Sequence, residues 1–145
     1  MSKLNERIRI EFANLERILD EFPATDALPS LTGLEIAGTA ALLHGLYSGI
    51  ENLLKQVIQV RGQAIPAGDS WHRDLIVLAS AEKVISETTA SQLRQYLAFR
   101  HFFSHAYAVD LKPERLQPLV EAAREVYRQL RRDIESALQE AQGGG

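Results

Sequence analysis

The sequence predicts an all-α fold, a single-domain bundle of about five helices running up and down across short links. Two observations carry this. Apolar residues recur at spacings of three and four over long stretches, and prolines and glycines fall between those stretches rather than at random. The chain has 145 residues, 46% of them hydrophobic, which fits one domain with a sizeable core. The expected domain covers residues 1–142, with a flexible glycine tail at 143–145.

The first helix is expected over Ser2–Phe22. Leu4, Ile8, Phe12, Leu15, Ile18, Leu19 and Phe22 form its apolar stripe, and Glu6, Arg7, Arg9, Glu11, Glu16 and Arg17 fill the other face. Pro23 stops it and opens a connector to Ser30. A second helix runs from about Thr32 to Val60, with a broad apolar face from Leu34 to Ile58. Glycine inside a helix costs roughly 1 kcal/mol relative to alanine. Gly38, Gly45 and Gly49 are therefore read as places where another helix comes close, with a kink or simple tolerance as the alternative.

Arg61-Gly62 ends that helix, and residues 63–70 form a loop. Asp69 or Ser70 is placed to cap a short third helix, Trp71–Ser80. Ala81–Glu87 reads as a turn or loop. Thr88 or Thr89 is expected to cap a fourth helix, Ser91 to about Val109, which Asp110-Leu111-Lys112-Pro113 breaks. The last helix spans Pro113 to about Ala141. On it, Arg124, Arg128, Arg131 and Arg132 alternate with Glu121, Glu125, Asp133 and Glu135. Such a pattern favours a solvated, salt-bridged face over an RNA-contacting patch.

Composition excludes several function classes. The net charge is −3, so no global basic field marks a nucleic-acid binder, although a local patch would suffice. There are no cysteines, which removes disulfide and thiolate chemistry and fits a reducing compartment. No apolar run approaches the ~20 residues of a membrane span, and the first residues show no signal-peptide pattern. A cytoplasmic protein with no membrane partner is the expectation.

The fourth helix carries the chemistry. Arg100-His101-Phe102-Phe103-Ser104-His105-Ala106-Tyr107 holds an arginine, two histidines, a hydroxyl and a phenol. Each helical residue advances about 100°. Relative to Arg100, Ser104 falls near 40°, His101 near 100° and His105 near 140°, a polar sector backed by Phe99, Phe102, Phe103 and Ala106. Extending the helix puts Tyr107 at the seam.

Arg100, the polar His101, three further residues and then His105-x-Tyr107 resemble the R-x-x-x-x-H signature of HEPN domains. The pattern is most similar to the HepT-type toxin branch. Tyr47–Lys55 resembles that family's second helix, and Trp71–Leu75 the start of its third. The resemblance runs over roughly Leu4 to Leu138.

It implies a toxin of a type II/VII-like toxin–antitoxin system that cleaves RNA without a metal or other cofactor. It also implies a homodimer with the active site at the dimer cleft, and a minimal nucleotidyltransferase (MNT) antitoxin as partner. In the HepT-like branch the tyrosine of His-x-Tyr can be AMP-modified by that partner, which makes Tyr107 the modification candidate. The alternative is a non-catalytic HEPN binding subunit that only docks the nucleotidyltransferase.

The residue types suit the chemistry. Metal-free RNA cleavage needs a base for the ribose 2′-hydroxyl, an acid for the leaving 5′-oxygen and a cation for the phosphorane. Imidazole titrates near neutral pH and suits the first two, so His105 takes the general base or acid role, with His101 assisting. Guanidinium offers paired donors to phosphate oxygens, so Arg100 takes the third. Ser104 and Glu51 are supporting candidates. Against this, His105 also reads as a core histidine, and Arg100 as a partner of Glu51 or Asp110. The His101/His105 spacing suits two ligands of a metal, with the third to come from His44, His72 or a carboxylate; no glutamate follows His101 to make H-E-x-x-H. Tyr107 reads equally as a buried seam residue.

Overall fold

The computed structural model describes residues 3–107 and 110–143. Five α-helices follow in order: α1 (Lys3–Glu21), α2 (Gly33–Val60), α3 (Trp71–Ala81), α4 (Glu87–His105) and α5 (Pro113–Gly143). A 3₁₀ turn, Thr25–Ser30, fills the connector between α1 and α2 and packs on α5 through that region. No strand occurs among the described residues. The fold is the all-α bundle the apolar spacing predicts. The C-terminal helix continues through Gly143, so the glycine expected to fray is helical; Gly144 and Gly145 lie outside the described residues.

The central element is α2, which packs against each of the other four helices. Its broad apolar face predicts this, since a helix apolar over most of its circumference must be covered on several sides. Leu43, Leu46, Ile50, Leu53, Leu54, Val57 and Ile58 are all buried. They join Leu15 and Leu19 of α1, Leu75 and Ile76 of α3, Leu93 and Tyr96 of α4, and Leu130 and Ile134 of α5 in one core.

Local signals set the boundaries. Thr32 and Glu35 form a capping box at the start of α2: the Thr32 hydroxyl accepts from Glu35 N–H at 3.1 Å, and Glu35 accepts from Thr32 N–H at 2.9 Å. Helix α2 ends with Gly62 at φ 78°, donating to Gln59, while Gln63 N–H donates to Ile58. Helix α3 closes the same way around Lys83 at φ 59°, the one non-glycine residue with positive φ among those described.

The cap of α4 is Ser86, not Thr88 or Thr89, and the helix starts at Glu87 rather than Ser91. Ser86 accepts from Thr89 N–H at 3.1 Å. Asp133 of α5 accepts from Ser86 N–H at 3.0 Å and from the buried Thr89 hydroxyl at 2.7 Å. A carboxylate brought in from far along the chain thus decides the start of α4. At the start of α3, Ser70 occupies the cap position but makes no side-chain cap bond.

The glycines of α2 separate into two kinds. A Cβ at Gly49 would collide with the buried Leu15 side chain and lie 3.1 Å from Glu11, so α1 sits directly on this glycine. Gly38 faces open space. Gly49→Ala is therefore expected to lower stability by about 1–2 kcal/mol despite alanine's better helix propensity. Gly38→Ala is expected to raise it by up to about 1 kcal/mol. Chemical denaturation of both variants checks the pair, and opposite signs are the expected outcome.

Candidate functional site

The inner stripe of α4 is Thr89, Ala90, Leu93, Tyr96 and Phe99. Arg100 and Phe103 continue it at the next three-and-four positions, so the arginine turns toward α2 and is half-buried. Its Nε is buried with no hydrogen-bond partner. Neither Glu51 nor Asp110 pairs with it among the described residues. The expected polar sector is therefore split. Arg100 lies on the core side, while His101 and His105 stand exposed on the outer face. Their rings meet edge to face, with centroids 4.7 Å apart.

The aromatic wall is present. Phe99 is buried, and Phe102 and Phe103 pack against the core. Phe99 and Phe103 stack at 5.9 Å, and Phe103 lies 5.5 Å from the His44 ring of α2. Ser104 donates its hydroxyl to the Arg100 carbonyl at 2.9 Å, a bond within its own helix.

Tyr107 departs from the expected seam position. The helix ends at His105, and Ala106 is extended (φ −92°, ψ 149°). The chain has to return so that Leu111 enters the core and Pro113 starts α5, and Asp110 N–H closes a turn onto the Tyr107 carbonyl at 2.9 Å. Tyr107 thus leaves the helix and is 79% exposed. The expected helical stretch to Val109 is shorter by that turn; Val109 itself lies outside the described residues.

The two histidines open onto a cavity of about 470 Å³ between the end of α4 and the start of α5. Asp110, Lys112 and Arg115 line it with them. Arg100 does not. The Arg115 guanidinium lies 3.8 Å over the Phe102 ring centroid. Sequence reasoning missed both cations, because a short break between helices looks like a connector and nothing in its spacing shows that it folds back beside the histidines.

A second polar cluster joins α2 to α3. The buried Glu51 carboxylate meets His72 Nδ1 at 2.6 Å. Trp71 packs on His72 with ring centroids 3.6 Å apart, and Lys55 Nζ lies 3.9 Å over Trp71. Tyr47, one turn before Glu51, has a buried hydroxyl with no hydrogen-bond partner. Burial first, and the Glu51 charge second, raise its pKa, while Arg100 pulls the other way. Arg100, Tyr47 and Glu51 thus share one electrostatic neighbourhood, with Glu51 committed to His72. The signal for this pair was available: a lone carboxylate inside an apolar helix face must be buried with a partner. Among the described residues, no group of three or more His, Cys, Asp and Glu side chains is arranged to hold a metal.

The arginine cluster of α5 is engaged elsewhere. Arg124 donates to the Leu19 carbonyl at 3.0 Å, Arg128 pairs with Glu125 at 2.9 Å, Arg131 with Glu16 and Glu135, and Arg132 with Glu125 at 3.5 Å.

This geometry lies within a stretch that a family model, described as HepT-like protein, matches over residues 38–141. That is more than half of the chain and takes in Glu51, His72 and all of α4. The chain belongs to the HepT-like family. Neither a curated protein nor a solved structure matches it significantly. The HepT-like family points to a HEPN-type, toxin-related domain and is generally ribonuclease-associated. No helix among the described residues is long and apolar enough to cross a membrane.

Proposed function

We propose that this HepT-like protein is a metal-independent endoribonuclease, the toxin of a toxin–antitoxin pair, acting as a homodimer. One observation carries the reading: at the end of α4, two adjacent exposed imidazoles open onto a cavity while a nearby arginine holds no carboxylate among the described residues.

In the proposed reaction, one imidazole takes the proton of the ribose 2′-hydroxyl. The 2′-oxygen attacks the adjacent phosphorus, and a phosphorane forms with Arg100 balancing its charge. The bond to the 5′-oxygen breaks as an imidazolium returns a proton to it. The products are a 2′,3′-cyclic phosphate and a 5′-hydroxyl, with no water consumed. His105 is the general base or acid, and His101 assists.

Arg100 and His105 project from different faces of α4, so one phosphate is served by the arginine of one protomer and the histidine of its partner. Tyr107 is the control point. AMP attached to its exposed phenol by a nucleotidyltransferase antitoxin would add bulk and negative charge next to the histidines and repel RNA phosphate.

Subunit mixing tests the composite cleft. Arg100→Ala and His105→Ala proteins are each expected to be at least about 10²-fold slower alone. After exchange, a mixed dimer retains one Arg100 facing one His105, so cleavage is expected to return to a substantial fraction of wild type. No recovery, with mixed dimers verified by mass, overturns the shared cleft. A wild type that binds a nucleotidyltransferase but never cuts RNA would favour the docking-subunit alternative.

A further inference from the structure

We infer that Lys112 and Arg115, at the start of α5, form the RNA-backbone-binding arm of this site, holding the phosphate next to the one being cleaved. The inference rests on the ribonuclease reading and adds the residues that seat the substrate.

Three observations point to this pair. Both cations line the same cavity as His101 and His105, and that cavity is large enough for a phosphate with its sugar. Neither is bound to a carboxylate among the described residues, whereas Arg124, Arg128, Arg131 and Arg132 are all held in ion pairs or backbone bonds along the same helix. The basic residues from Lys112 to Arg132 therefore divide by position. Those on the body of α5 are spent on structure, and the two beside the histidines are available. Third, Arg115 is oriented. Its guanidinium carbon lies 3.8 Å over the Phe102 ring centroid, a contact that restrains the side chain beside the cavity. A stacked guanidinium loses little further freedom when it binds a phosphate in two-point fashion. Phe102 is one residue from His101, so this platform is in register with the histidines.

Asp110 lines the same cavity and opposes an anion. Two fixed cations against one carboxylate still leave a net positive site before either histidine takes a proton. A chain with an overall charge of −3 can thus bind RNA through a local patch.

The test uses the full-length His105→Ala protein, so that RNA stays intact, and a fluorescently labelled single-stranded RNA. Affinity is measured by anisotropy across a salt series, with and without Lys112→Ala plus Arg115→Ala. The double change is expected to weaken binding roughly tenfold or more at 0.1 M salt. It is also expected to reduce the slope of log K against log salt by about 0.7, the value for one single-strand phosphate no longer neutralised. Arg128→Ala plus Arg132→Ala should leave the slope unchanged. In otherwise wild-type protein, the Lys112/Arg115 double variant should raise KM with kcat nearly kept. Circular dichroism confirms folding. If His105→Ala protein binds RNA and the double change leaves the slope intact, this inference falls and the ribonuclease reading survives. If His105→Ala protein does not bind RNA at all, both fall together.

Discussion

His105→Ala is expected to slow RNA cleavage by about 10²–10⁴-fold, the usual contribution of a positioned acid or base. Folding should be nearly unaffected. His105 is exposed at the last position of α4, where its ring neighbour among the described residues is His101 at 4.7 Å. Exposed substitutions away from a cap or core usually change stability by less than about 0.5 kcal/mol. The informative result is therefore a large loss of rate at an unchanged melting temperature. Arg100→Ala should lose rate comparably, but it also removes a half-buried side chain beside Tyr47, so some stability is lost with it. Single-turnover kinetics and thermal melts on the same preparations separate the two. A His105→Ala protein that cuts at wild-type rate would remove the histidine from the reaction.

Glu51→Ala should have the largest effect on stability. The carboxylate is buried in the middle of α2 and holds His72 at 2.6 Å. Truncating one partner of a buried, hydrogen-bonded pair strands the other and leaves a void. This costs about 3–5 kcal/mol when both partners are fully buried. The His72 side chain is 20% exposed, so water recovers part of the loss and about 3 kcal/mol is expected. For a chain of this size that lowers Tm by about 10 °C. Glu51→Gln keeps the volume and one hydrogen bond, and should lose much less. If Glu51→Gln keeps its Tm but cleaves poorly, the carboxylate acts on the site through Tyr47 and Arg100 as well as on the fold. If Glu51→Ala melts with the wild type, the pair does not tie α2 to α3.

How far the sequence could be read depended on how local the determinants were. The helices were legible because their apolar spacing repeats over many turns, and α2 was visibly the central one. The start of α4 was misplaced because its cap, Ser86, is secured by Asp133 from the last helix, and such a contact leaves no mark near the cap itself. The motif histidines were legible from a single helical turn. Arg100's burial was not, because wheel angles give relative directions and only the packed neighbours say which direction is inward. Tyr107 was misplaced for a related reason: the demand that Leu111 enter the core ends the helix before the tyrosine. Lys112 and Arg115 gain their meaning only from the fold-back that brings them beside the histidines.

The most direct measurement of the central claim is RNA cleavage by purified protein in EDTA, with intact mass confirming an unmodified Tyr107. Wild type should cut and leave 2′,3′-cyclic phosphate and 5′-hydroxyl ends, and Arg100→Ala and His105→Ala should cut at least about 10²-fold more slowly under the same conditions. Unmodified wild-type protein that leaves RNA intact, or cleavage that EDTA abolishes, would contradict the account.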